Sequence, residues 1–469
     1  MNTDNSLYNT VIENDFCIGC GGCSYLENDL YTIEKDAFGM YKAKLKSDSV
    51  NSGELASKAC PFSYESIDED KLSELFFGES SSKNKFLGMY ESIYAGYVIE
   101  KDFRSKGSSG GFGKWILKAL LENDEVDFVC QVVSSDRDDT LFEYKIFDRS
   151  ENVIQGSRSA YAPVRLDEIL KHIKNYDGRY AISAVPCFSK SIRQISLIDP
   201  VIKERVTFVI GMFCGHLKSD NYAKLMGWQL GIHPSDLNKI EFREKLEYKK
   251  ANDKGVYAVS VNGDKSETKS SKAIFGGDWG QGLFKYKACD YCDDIVGETS
   301  DISIGDAWLD EYIHDYKGTN IIIIRNKKVD KLIKNAIIQQ RVKLEEISED
   351  DVVTSQSGGI RHKREGLAYR LYLKEQSNEW HPPKRIVPSD AIPEHRKPIY
   401  LSRIKIRTQS HILFNNAVRL DNLKYFLTKI KKIIYQYQIA QATPYKGFIM
   451  RLLAYIGMRS LIQKYLQHK

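Results

Sequence analysis

Cysteine placement constrains this chain more than any other feature of its sequence. Of nine cysteines in 469 residues, three form an evenly spaced run, Cys17-Ile-Gly-Cys-Gly-Gly-Cys23, and a fourth, Cys60, stands directly before Pro61. Three thiolates at this spacing can wrap three corners of a cubane. Gly19, Gly21 and Gly22 let the backbone fold closely around it and turn its N–H groups toward the sulfurs. A structural zinc site is the alternative, but zinc sites usually draw their ligands as two separated pairs.

With a distant Cys-Pro as the fourth ligand, the four cysteines resemble a ferredoxin-type [4Fe–4S] module. Four of the remaining five fall later: Cys187 in Val-Pro-Cys-Phe, Cys214 in Met-Phe-Cys-Gly-His, and the pair Cys289-Asp-Tyr-Cys292. Cys187 and Cys214 each end a strand-like run, where ligands converge in open α/β folds. Together the four make a thiolate set for a second [4Fe–4S] cluster. Two buried core cysteines beside a zinc-type pair is the reading that spacing leaves equally open. Cys130 lies inside an apolar strand and reads as an inert core residue. The opening residues carry no basic stretch followed by an apolar one, so no export signal is expected. An odd, clustered cysteine count then points to metal ligation in a reducing, cytoplasmic setting.

Strand-like runs at 93–99, 126–133, 180–185, 206–213 and 320–325 alternate with helical spacing at 113–122, 166–175 and 221–230. That alternation predicts an α/β core with a mostly parallel sheet. The polar stretch at 78–85 reads as a linker or flexible loop, and the prolines between 382 and 398 mark another boundary. Beyond it helices are expected, the last opening at Thr443-Pro444. No run approaches the roughly 20 apolar residues of a membrane span. Charge is uneven. Residues 401–469 hold 13 Lys/Arg and one acid, Asp421, while the other 400 hold 55 Lys/Arg and 62 Asp/Glu. The body is mildly acidic and the C-terminal region strongly basic.

Seven further stretches follow one another in order: Ser108-Ser-Gly-Gly-Phe112, Ser159-Ala-Tyr-Ala-Pro163, Ala184-Val-Pro-Cys187, Gly211-Met-Phe-Cys214, Phe242-Arg-Glu-Lys245, Cys289-Asp-Tyr-Cys292 and Asp301-Ile-Ser-Ile-Gly-Asp-Ala-Trp308. As an ordered set they resemble the beta-subunit family of coenzyme F420-reducing hydrogenases and dehydrogenases. The resemblance implies FAD on the α/β core and [4Fe–4S] clusters, two in all, that wire it to a redox partner. It divides the chain into a ferredoxin-type domain at 1–75, a flavin and iron–sulfur core at 90–345, and a basic helical extension at 395–469. The family's Ser-Lys-Tyr stretch reads Ser159-Ala160-Tyr161 here, which puts F420 itself in doubt; Arg158 is the neighbouring basic residue that can substitute.

The resemblance makes Ser108, Ser109, Gly110, Gly111 and Phe112 an FAD pyrophosphate cradle, since glycines admit a phosphate and a helix N-terminus attracts it. Alone, such a turn is more often just a helix start. Tyr161 can stack on the flavin or sit half-buried in the core. His216 can donate a proton beside the flavin or hydrogen-bond a ligand of the cluster. Asp306 can cap a turn, orient a ligand or bind flavin. The expected activity is therefore an oxidoreductase carrying electrons between a ferredoxin-like partner and a small-molecule substrate. Polysaccharide biosynthesis is a family-level association. An electron-transfer subunit without its own substrate and a zinc-stabilised interaction protein remain alternatives. At 445–466 an apolar stripe with interleaved Lys and Arg suits either packing on the core or contact with a membrane surface or acidic protein. Nucleic acid is not an expected partner, because no binding module for it is recognised.

Overall fold

The structure, a computed structural model, describes residues 6–46, 53–156 and 158–442. Its centre is an eight-stranded sheet: β1 (Ser92–Val98), β2 (Phe128–Ser134), β3 (Phe142–Phe147), β4 (Tyr180–Ala184), β5 (Val206–Met212), β6 (Ile302–Asp306), β7 (Asn320–Ile324) and β8 (Val342–Glu346). The spatial order is β8-β1-β7-β6-β5-β4-β2-β3. The middle four, β6, β5, β4 and β2, run parallel to one another, as the alternating pattern predicts. Antiparallel strands extend both flanks. They arise where the chain returns without a full crossover helix, as between β2 and β3 and between β6 and β7.

Helices α1 (Phe112–Glu122), α2 (Asp167–Asn175) and α3 (Pro186–Ser196) cover the faces of this sheet, and α4 (Asp220–Gln229) follows β5. The burial explains the composition of the middle strands. All five residues of β7 are buried, and a strand covered on both faces reads as a continuous apolar run, here four isoleucines. The three helices and five strands expected from the sequence are present within a residue or two of their expected ends.

The N-terminal segment is a hairpin, Tyr31–Lys35 against Tyr41–Leu45, with short helices Gly22–Leu26 and Glu54–Ala59. Its apolar residues join those of α2 and α3 in one core, Phe16, Ile18 and Phe62 with Leu170, Phe188 and Ile192. The polar stretch at 78–85 is tied down. Ser82–Asn84 pairs with Gly88–Tyr90, the Ser80 hydroxyl donates to the Arg325 carbonyl, and the Asn84 amide donates to Glu349. Its polarity serves those bonds, which is why it looked like a loop.

A second sheet, Leu237–Lys245, Lys254–Ser260 and Lys269–Ser270, lies apart from the first. Helices α5 (Lys397–Arg419) and α6 (Leu423–Gln441) form a hairpin whose stripe packs on this sheet and α4. No described helix is long and apolar enough to cross a membrane. The stretch expected to be helical at 445–466 lies outside the described residues.

One buried ion pair staples α3 to the sheet. Asp301 accepts from the Arg193 guanidinium at 2.7 Å, from the Val209 N–H at 2.7 Å and from the Asn326 amide at 2.8 Å. Arg193 and Asp301 are both under a tenth exposed. Removing one partner leaves the other charge buried without compensation, so Asp301→Ala should cost about 3–5 kcal/mol. Urea unfolding followed by circular dichroism reads this directly, and a loss below about 1 kcal/mol would show the pair to be dispensable.

Candidate functional site

The thiols gather in two neighbouring sets. In the first, Gly19 takes φ +66°, and a Cβ there would come within 2.3 Å of the Tyr41 carbonyl oxygen. Only glycine lets the loop lie this close to the hairpin. The Gly19 and Ala43 N–H groups donate to Cys17 Sγ at 3.3 and 3.2 Å. Cys60 follows the helix Glu54–Ala59, and Cys20, Cys23 and Cys60 each feel the charge of Cys17. Burial pushes the Cys20 thiol up to about 11 and raises Cys23 and Cys60 as well.

The second set stands at the carboxyl edge of the parallel strands. Cys187 opens α3 just past β4, Cys214 follows β5, and Cys289 and Cys292 come from a short helical turn, Lys287–Tyr291, and the residue after it. Cys187 is raised by burial, then by Cys292, Cys214 and Cys289, and then by Cys20 of the first set. Cys289 accepts from the Leu217 N–H and Cys292 from the Lys363 ammonium, both at 3.2 Å. Burial pushes Cys214 up to about 12 and Cys289 to about 11. The two sets meet at α3: its Cys187 belongs to the second, while its Ser191 hydroxyl lies 3.7 Å from Cys20 Sγ of the first. Soft thiol ligands in fours suit a thiophilic metal or cluster. Among the described residues no three His, Cys, Asp or Glu stand within reach of a single ion. The quartets are electrostatic neighbours, not closed on one point. Cys130 is fully buried within β2 and takes no part in either.

Beside the second set lies a cavity of about 710 Å³ bounded by the strand ends and the second sheet. Ser108, Ser109, Gly111, Tyr161, Cys214 and His216 all line it. Gly111, at φ +94°, turns the chain into α1; a Cβ there would meet the Phe103 carbonyl oxygen at 2.7 Å. Gly110 and Phe112 do not line the cavity. Gly110 packs on Gly96 and Asn320 of the sheet, and the Phe112 ring is buried against Trp115.

Cations dominate the polar wall. Arg243 grips Asp306 with two bonds of 2.8 and 2.9 Å and reaches the Ser108 carbonyl at 3.4 Å. Burial would raise the Asp306 carboxyl, but Arg243 outweighs it and holds the group below its ordinary value. Asp306 thus fixes Arg243, a partner that the sequence does not point to. Lys245 donates to the Ser109 carbonyl at 2.8 Å. Burial, reinforced by neighbouring cations, pulls Lys245 down to about 7 and Lys114 and Lys254 to about 8. Arg158 also lines the cavity but is paired with Glu244.

Aromatic rings line the cavity beside these cations. Tyr161 lies 4.5 Å from Trp279 and 5.1 Å from Phe242, centroid to centroid. His216 stacks on Trp279 at 4.4 Å and 18°. Burial, then Lys218 and Lys285, drives His216 well below its ordinary value, so the ring is neutral. A cavity lined by aromatic rings and cations can hold a planar ring with an anionic tail.

Residues 93–171 match the N-terminal model, and residues 177–350 the C-terminal model, of the coenzyme F420 hydrogenase/dehydrogenase beta subunit. The chain belongs to this family. A chain of the F420-reducing [NiFe] hydrogenase complex from Methanosarcina barkeri is similar at 15% identity and a TM-score of 0.48, covering 64% of this chain and 98% of that one. No curated protein matches. The second cysteine set and the cavity residues Ser108 to Arg243 fall inside the family-matched part of this beta-subunit relative. The first set and helices α5 and α6 fall outside it.

Sequence reasoning passed over Arg243, Lys114, Lys254 and Trp279 as site residues. Arg243 and Lys245 carried a signal, since they alternate along one strand in Phe242-Arg-Glu-Lys245 and so share a face. Their lowered lysine neighbours set a pH dependence. Lys114, Lys245 and Lys254 are charged below pH 6.5 and lose charge as pH rises through about 7 to 8. Sulfate keeps its own charge over this range. Its affinity for the cavity, measured by calorimetry, should fall roughly tenfold between pH 6.5 and 9. An affinity independent of pH would contradict this assignment.

Proposed function

We propose that this beta-subunit relative is a flavin-dependent iron–sulfur oxidoreductase. It would pass electrons between a ferredoxin-like donor, two [4Fe–4S] clusters and FAD to reduce a small-molecule substrate. One observation carries the reading: the two thiol quartets and the cavity are contiguous. Helix α3 carries Cys187 of the second set and sets its Ser191 hydroxyl 3.7 Å from Cys20 of the first, and Cys214 of the second set lines the cavity wall. In this reading residues 1–75 are the ferredoxin-type module, 90–345 the flavin and iron–sulfur core, and 395–469 the basic extension.

Cys17, Cys20, Cys23 and Cys60 would hold one cluster, and Cys187, Cys214, Cys289 and Cys292 the other. Raised thiols suit this, because a coordinating metal ionises buried thiols that burial alone would keep protonated. When bound, the clusters supply single-electron transfer, and the flavin exchanges one or two electrons. Ser108, Ser109 and Gly111 would seat the pyrophosphate beside Arg243 and Lys254, with Gly110 and Phe112 shaping the turn from behind. Tyr161 and His216 would flank the flavin ring and exclude water from it. His216, kept neutral by burial, can donate or accept a proton at Nε2, an atom buried without a hydrogen-bond partner among the described residues. Membership in a beta-subunit family favours a second reading. The chain would then be an electron-transfer subunit, and its substrate would sit on a partner.

Iron, zinc, acid-labile sulfide and flavin per chain, on protein purified without oxygen, test both. Roughly eight iron, eight sulfide and one FAD are expected. Cys17→Ser should remove about half of the iron and leave the flavin. Zinc without sulfide would refute the redox reading, and about four iron without flavin would leave only the subunit reading.

Lys363 gives a finer test. Its ammonium lies 3.2 Å from Cys292 Sγ and also donates to the Asp294 carbonyl. A positive charge and a hydrogen bond at a ligand sulfur both favour the reduced cluster. Lys363→Met should therefore lower the potential of one cluster in a spectroscopic titration and leave the other unmoved. Two unchanged potentials would remove Cys292 from the ligand set.

A further inference from the structure

A larger cavity, of about 1440 Å³, lies on the far side of the His216–Trp279 pair. Those two side chains line both cavities and form a common wall. The rest of its lining comes from residues 280–285 and 358–362 and from the hairpin of α5 and α6 with the turn before it. The family match ends at residue 350, so this cavity is built largely by the part of the chain that the family does not share.

Its charge is one-sided. Lys285, Arg361, His362, Arg396 and Arg403 line it, and no Asp or Glu does so among the described residues. Arg396 is paired with Glu365. Behind the wall, Asp290 is fully buried and already serves Lys285, His362, Arg370 and Arg407, and burial holds His362 well below its ordinary value, so the unpaired charge of the lining is that of Arg361 and Arg403. Arg403 donates to Tyr437 at 3.1 Å and meets His362 at 3.0 Å, yet its Nε is buried with no partner among the described residues. Arg361 is exposed and has no ion-pair partner among the described residues. An unsatisfied buried guanidinium N–H beside an unpaired arginine in a half-enclosed space favours an anion. The residues after Ala442 do not supply one, since 443–469 contain five Lys/Arg and no Asp or Glu. Ile399, Tyr400 and Ile439 add apolar surface, so an organic body can be covered as well as a charge.

We infer that this cavity binds an anionic organic ligand, one bearing a phosphate or carboxylate group that Arg361 and Arg403 receive. The ligand's body would rest against the His216–Trp279 wall. Binding at this site stands independently of the proposed flavin chemistry.

Calorimetry on the full chain with inorganic pyrophosphate and, separately, with citrate tests the site. At least one probe should bind, and Arg361→Glu and Arg403→Gln should each weaken that binding at least about tenfold. Arg243→Gln, which alters the first cavity, should leave this binding class unchanged. The preferred probe tells phosphate from carboxylate. Arg361 is exposed, so its variant keeps the test alive if Arg403→Gln fails to fold. Failure of both probes at millimolar concentration, or wild-type affinity in folded Arg361→Glu protein, would overturn the inference. Protein that binds a probe but holds neither iron nor flavin would uphold this site and sink the proposed function.

Discussion

The buried pair between Arg193 and Asp301 fixes how α3 lies on the sheet, and the rest of the site depends on that helix. Its first turn carries Cys187, its middle places Ser191 beside Cys20, and its apolar face joins the core of the N-terminal segment. Asp301 in turn bonds the Val209 N–H of β5, the strand that leads into Cys214. A charge pair so deep gains less than its Coulomb attraction suggests, because both ions were stripped of water. What it provides is placement: a helix with a polar anchor cannot slide along the sheet without unpairing a buried charge.

The cavity beside the second thiol set follows the same physics in reverse. There, burial is left incompletely compensated, and the lysines are pulled toward neutrality near physiological pH. Arg243 is the fixed point, held by two bonds to Asp306 at the end of β6. A rigid arginine surrounded by partly desolvated lysines is preorganised for an anion, since no side chain has to be gathered when it arrives.

Much of this was legible in the sequence where local pattern decides structure. Four consecutive isoleucines announce β7, and the spacing of Cys17, Cys20 and Cys23 announces a wrapped loop. The edge strands Phe142–Phe147 and Val342–Glu346 were not legible, because they mix apolar with charged residues and half of each faces water. Ile302–Asp306 was hidden by the serine and glycine that its tight packing requires; a Cβ on Gly305 would collide with the Phe213 ring. The convergence of Trp279 on Tyr161 and His216, or of Lys245 on the Ser108 turn, comes from tertiary packing alone. Alternation of residues along a strand says which face a side chain takes, not what it will meet there.

Interlocking rings, Phe284 with Phe414 and Phe426, hold the hairpin of α5 and α6 to the segment after Trp279, in the same apolar cluster as Phe242 of the second sheet. Phe242 is the neighbour of Arg243. The arm that the family does not share thus fills out the apolar cluster that backs the strand of Arg243. Close-packed interiors do not yield by degrees. The C-terminal hairpin therefore acts as a brace: it stiffens the cluster behind the cationic wall and leaves the arginine no slack.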